Sequence, residues 1–140
     1  MSEMKLTLFV VLLVSLLTKS LFAQNKHDNT IIVHGFVSYL ELKNALFEEG
    51  YIPANSDTSF ISTNYKPQGM LGEVGFLIKK TDSTLTIRGS VNAKLGDMEL
   101  RGEPLENVGQ KGTVYRVGFS TMTKIANSFR LPITFLNVKK

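Results

Sequence analysis

The sequence predicts an α+β fold, a two-layer sandwich in which an antiparallel sheet of four to six strands carries two helices on one face. Three observations predict it. Turn signals at Thr81-Asp82 and Gly96-Asp97 set apolar residues opposite apolar residues when their flanks fold back into hairpins. Two other stretches, Tyr39 to Glu49 and Val114 to Phe129, concentrate apolar residues on one helical side. Cysteine is absent throughout, so an apolar core, not disulfides, must hold the domain together.

The first stretch is an address. An apolar run of twelve residues, Leu6 to Leu17, follows Lys5 and precedes the small and neutral residues Ser20 to Ala23. A membrane-spanning helix needs roughly 20 apolar residues, whereas basic, apolar and cleavable regions in this order make a secretory signal. Residues 1–23 are therefore expected to be a signal peptide cut after Ala23. Lys19, Leu21 and Glu3 depart from the most regular form of such a leader, and an uncut anchor is the alternative. Without cysteine, lipid attachment of the bacterial lipoprotein type is excluded. Residues 24–30 read as a flexible polar lead, and residues 31–140 as one domain.

Ile31 to Val37 is short and β-branched, a first strand. Ser38 and Glu41 form a capping box for a helix over Tyr39 to Glu49. Gly50 supplies its left-handed stop, and Tyr51 and Ile52 fold back on it. Thr58 to Tyr65 is a strand whose faces are ambiguous, since Phe60 and Ile61 point opposite ways. Lys66 to Gly69 turns the chain.

A two-residue loop at Thr81-Asp82 sets Ile78 against Leu85, Phe76 against Ile87 and Val74 against Gly89 on one sheet face. Another at Gly96-Asp97 sets Leu95 against Met98 and Ala93 against Leu100 on that same face. Lys94 then meets Glu99 on the opposite face, an ion pair worth about 0.2–1 kcal/mol. Gly102 to Gly112 is a linker. From Val114 to Phe129 the apolar residues fall in one arc, with Val117 outside it. A strand to Phe119 followed by a helix capped at Ser120 is the rival reading. Pro132 ends the element, and Ile133 to Val138 is a candidate closing strand.

The order β-α-β-β-β-β-α and the helix end "ALFEEGY" resemble the half-repeat of TATA-box-binding proteins. They also resemble domains in the lipoprotein of the outer-membrane barrel-assembly machinery and small exported domains of Bacteroidetes-type bacteria. The resemblance implies architecture alone. The lipid-bearing cysteine of the lipoprotein and the minor-groove wedges of the DNA binders are both missing here.

Chemistry is sparse. Outside the leader, 14 lysines and arginines face 11 aspartates and glutamates, a net of +3. They form no clustered stripe with interleaved aromatics, so nucleic acid is not an expected partner. Nucleophilic catalysis wants a cysteine, or a serine with histidine and carboxylate. The histidines are His27, in the lead, and His34, near the end of the first strand. No catalytic set, metal site or cofactor is assigned: two separated histidines have no ligand spacing, and Gly69, Gly72 and Gly75 do not form a phosphate loop.

What remains is the solvent face of the sheet, where Lys79, Arg88, Lys94 and Arg101 are candidate partner-binding residues. The expected function is a non-catalytic periplasmic or secreted binding or assembly module for an envelope protein, peptide or polymer, with no stable membrane span after signal cleavage. One alternative is a small exported hydrolase using His34 with Asp57 or Glu49. Another is a small-ligand carrier with its ligand between helices and sheet. Partner identity and oligomeric state are left open.

Overall fold

A computed structural model describes residues 24–139 apart from 56 and 111. The expected leader and its cleavage point lie outside the described residues. The elements are β1 (Thr30–His34), α1 (Tyr39–Glu48), β2 (Phe60–Ser62), β3 (Lys66–Pro67), β4 (Gly72–Lys80), β5 (Thr84–Leu95), β6 (Met98–Pro104), α2 (Val114–Ser128) and β7 (Ile133–Leu136). The fold is mixed α+β and mostly sheet, with two helices and seven antiparallel strands, consistent with a two-layer sandwich. The strand count exceeds the expected maximum of six by β3. Lys66 and Pro67, expected to lie in a turn, pair with Val74 and Glu73 first.

The 12-residue β5 is the spine. One edge pairs with β4 from Leu85 to Ala93. Its other edge is shared: β1 covers Thr84 to Arg88 and β6 covers Ser90 to Leu95, leaving only Gly89 between them. Beyond β1 lies β7, and beyond β4 lie β2 and β3.

The β4–β5 hairpin differs from expectation by two residues. Ile78 faces Ile87, Phe76 faces Gly89 and Val74 faces Val91. The loop is longer than two residues because Thr81 closes it locally. Its amide donates to the Thr84 carbonyl at 2.9 Å, and its hydroxyl accepts from the Thr84 amide at 3.0 Å. An even slip leaves every side chain on its expected face, and Val74, Phe76, Ile78, Leu85, Ile87 and Val91 are all buried.

In the β5–β6 hairpin, Leu95–Met98, Lys94–Glu99 and Ala93–Leu100 pair as expected, but the ladder then shifts at a bulge, so that Val91 faces Glu103. Gly102 takes φ +65° there, and its amide donates to Asn92 Oδ1 at 2.9 Å, replacing the bond the bulge removes. Leu95 and Met98, expected in the core, are exposed because the hairpin tip runs past it.

α1 begins on the capping box: the Glu41 amide donates to Ser38 Oγ, and the Ser38 amide to Glu41 Oε2. It ends in a Schellman motif, with the Tyr51 amide donating to the Leu46 carbonyl and the Gly50 amide to that of Phe47. Tyr51 is thereby turned into the core, edge-on to Phe76 with ring centroids 4.6 Å apart, while Ile52 stays outside. α2 is helical from Val114, capped by Thr113, which excludes the strand-then-helix reading. It lies across β1, β4 and β5 and touches α1. Both helices contribute to a single core: Leu42, Ala45 and Leu46 from α1 join Phe119, Met122 and Ile125 from α2.

Leu105, in the expected linker, is a wedge between the layers. It is fully buried, and its amide donates to the Gly89 carbonyl at 2.9 Å. A Cβ on Gly89 would lie 2.3 Å from Leu105 Cδ2, and one on Gly118 of α2 would lie 3.1 Å from its Cδ1. Each glycine leaves the space one side of this leucine fills. The lead is also tied down. Asn107 donates to Asn25 and Asp28 carbonyls or accepts from the His27 amide at 2.8–3.3 Å, so the stretch expected to be flexible is bonded to the loop after β6.

Candidate functional site: the open sheet face

Pairing fixes which side chains share the face away from the helices. One row across the strands runs Leu136, Thr30, Arg88, Leu77, Ser62, and the next runs Thr134, Ile32, Thr86, Lys79, Phe60. All four predicted cations, Lys79, Arg88, Lys94 and Arg101, are exposed. They do not form one patch. Arg88 and Lys79 are diagonal neighbours on β5 and β4, about 7–8 Å apart with their Cβ atoms somewhat closer. Lys94 lies six residues further along β5 than Arg88, about 20 Å at roughly 3.3 Å per residue.

The two ends differ in charge. At the hairpin end, Arg101 donates from Nε and Nη2 to Glu99 Oε1 at 3.0 and 2.8 Å, Glu99 stands opposite Lys94 in register although the expected ion pair does not close among the described residues, and Glu73 accepts from Asn92 Nδ2 at 3.3 Å. These groups line a shallow cleft of about 480 Å³ in which two carboxylates offset two cations. At the other end, neither row contains an aspartate or glutamate, and Lys79 and Arg88 form no ion pair among the described residues.

The same rows are also more apolar than sequence reasoning expected. Phe60 is 48% exposed, Leu77 41% and Leu136 37%, with Ile32 half-buried among them. The signal for Leu77 was in the run Phe76-Leu77-Ile78, where alternation requires the middle residue to face away from the core. Phe60 could not be oriented until β2 was paired.

The C-terminal segment borders this face. Asn29 clamps it, donating from Nδ2 to the Val138 carbonyl at 2.9 Å and accepting the Val138 amide on Oδ1 at 3.0 Å. The free edges of β2 and β6 are blunted. Asn55 bonds the Phe60 carbonyl and the Ser62 amide on the outer side of β2, and β6 carries Glu99, Arg101, Glu103, a bulge and Pro104, features that blunt edge pairing.

His34 stands apart from Asp57 and Glu49, the two acids expected beside it in a hydrolase. His34 Nε2 is 2.7 Å from Thr134 Oγ1. Asp57 accepts the Ser59 and Phe60 amides ahead of β2, three strand positions from β1 or about 14 Å. Glu49 lies 3.9 Å from Lys124. His27 pairs with Glu106 at 3.1 Å on the surface. Among the described residues, no group of three His, Cys, Asp or Glu could hold a metal ion, and no helix is long and apolar enough to cross a membrane.

In comparisons with known proteins, this chain matches no family model and no curated protein. What the fold and the site define is a class by architecture: a two-layer α+β sandwich whose uncovered sheet face is cationic and apolar at one end and charge-balanced at the other.

Proposed function

We propose that this chain is a non-catalytic binding or assembly module of the periplasm or the secreted space, holding an envelope protein, peptide or polymer against its open sheet face. The observation that supports this reading is the half of that face where Lys79 and Arg88 lie without ion partners beside half-exposed Phe60, Leu77 and Leu136. Large apolar side chains set among uncompensated cations suit a partner that brings both acidic and apolar groups. The leader expected from the sequence of residues 1–23 supports the compartment.

A pull-down from an envelope fraction tests the reading. Lys79→Glu with Arg88→Glu should lose the partners that the unmodified chain retains. Arg101→Glu, at the charge-balanced end, should retain them. Equal recovery by all three proteins overturns the proposal. Fractionation and intact-mass measurement test the export step, with a chain starting at Gln24 as the expected product.

A further inference from the structure

The seam where β1 and β6 meet along β5 is also a hollow. A cleft of about 200 Å³ opens there, lined by Leu77, Arg88, Ser90, Pro104, Val138 and Lys139. Pro104 is held as one wall because it pairs with Ser90 and because the next residue, Leu105, is anchored in the core. Val138 is held as another by the Asn29 clamp. The open bottom follows from glycine: a Cβ on Gly102 would meet nothing nearer than Ser90 Oγ at 4.0 Å.

The polar groups that line this cleft are donors. Arg88 and Lys139 offer cationic N–H groups. Ser90 Oγ accepts from the Tyr65 hydroxyl at 2.8 Å, so its own O–H is free to donate. The Asn29 amide, by contrast, is used by the tail. Among the described residues no carboxylate lines the hollow, while Leu77, Pro104 and Val138 make its sides apolar. A guanidinium beside a hydroxyl and an ammonium matches the acceptor geometry of a carboxylate, and the walls match an aliphatic group attached to it. The volume lies below the roughly 300–1,000 Å³ of drug-sized pockets, room for one terminal residue or a short acid.

We infer that this cleft is a subsite for a carboxylate carried on an aliphatic group, with Arg88 as its main anchor. It rests on the open face being the binding face and names the chemistry that one position of that face takes. Two sources share this chemistry, the carboxy-terminal residue of a peptide and a free aliphatic acid.

Titration of the ¹⁵N-labelled chain, followed by amide chemical shifts, tests it with N-acetyl-leucine and octanoate as probes. N-acetyl-leucinamide and octanol serve as uncharged counterparts. Saturable shifts at Ser90, Gly102, Asn29 and Val138 are expected with the acids and not with the uncharged forms. Arg88→Gln should weaken binding about tenfold, as removal of one charge-assisted hydrogen bond does, whereas Arg101→Gln should leave it unchanged. Binding of N-acetyl-leucine alone assigns the site to peptide ends, and of octanoate alone to free acids. Either result supports the site. Equal shifts with the uncharged probes, shifts confined to α2, no saturable shift, or an Arg88→Gln variant that binds as the parent does would overturn it. The pull-down with charge-reversed variants is independent of these outcomes, so the subsite can fail while the binding face stands.

Discussion

Leu105 provides a quantitative test of how the two layers are joined. Truncation to alanine removes a fully buried side chain that separates Gly89 of the sheet from Gly118 of α2. Such changes cost about 2–5 kcal/mol, more where the surroundings cannot collapse. The walls here are backbone of a central strand and of a helix, so a loss of about 3 kcal/mol is expected, a large share of the roughly 5–15 kcal/mol that holds a domain folded. Gly89→Ala attacks the same contact from the other side. Its new methyl would sit 2.3 Å from Leu105 Cδ2 and 2.6 Å from Leu105 Cβ, and the second of these atoms cannot swing away. Overpacking of this kind costs about 1–3 kcal/mol. In the double variant the methyl enters space vacated by Cγ and the Cδ atoms, but the Cβ that alanine keeps still lies 2.6 Å away and holds back part of the relief. The combined loss should therefore be about 4 kcal/mol, short of the roughly 5 kcal/mol of independent sites, a coupling of about 1 kcal/mol. Equilibrium urea unfolding of the four proteins measures it. Coupling within about 0.5 kcal/mol of zero would refute the wedge.

Three further predictions concern a cap and pH. Ser38→Ala should cost about 1 kcal/mol in thermal or urea unfolding, because it removes the cap of α1. The Ser38 amide holds the Glu41 carboxyl below its ordinary 4.5. A lowered folded value means that this contribution is complete above 4.5 and fades as pH falls through the lower folded value, so Glu41→Gln should flatten part of the acid limb of a stability profile. Burial raises the Tyr51 hydroxyl above its ordinary 10.0. Stability should be indifferent to this group below pH 10 and should decline as pH climbs through the raised folded value, because the unfolded chain ionises first. Tyr51→Phe should abolish that alkaline decline and, by losing the bond from Gln68 Nε2 at 3.0 Å, cost about 1 kcal/mol at neutral pH.

The parts of the fold written in short-range pattern were legible in the sequence. The α1 caps are spelled by Ser38, Glu41 and Gly50, and the core face of β4 and β5 by strict alternation. Pair partners were less so, because a slip of two residues preserves alternation and only the Thr81 side chain decides between the registers. The bulge at Gly102 was hidden for a similar reason: nothing local says that Asn92 will bond its amide. Leu105 was invisible because a lone leucine between glycines, prolines and charges has no period. Of the candidate site, membership of the face was legible for Lys79, Arg88, Lys94 and Arg101. Its division was not, since the spacing of Arg88 and Lys94 along one strand matters only once Glu73 and Glu99 are known to stand beside one of them. The exposed Phe60 needed the β2–β4 pairing to choose its side.

Because β1 and β6 abut along a single strand with one glycine between their ends, the width of the gap is set by where each strand stops and not by what its side chains are. Lengthening either by a residue would draw Thr30 and Pro104 together and shut the opening, while shortening either would widen it. Binding size could thus drift by insertion and deletion at two strand tips, with Arg88 and the whole interior left as they are.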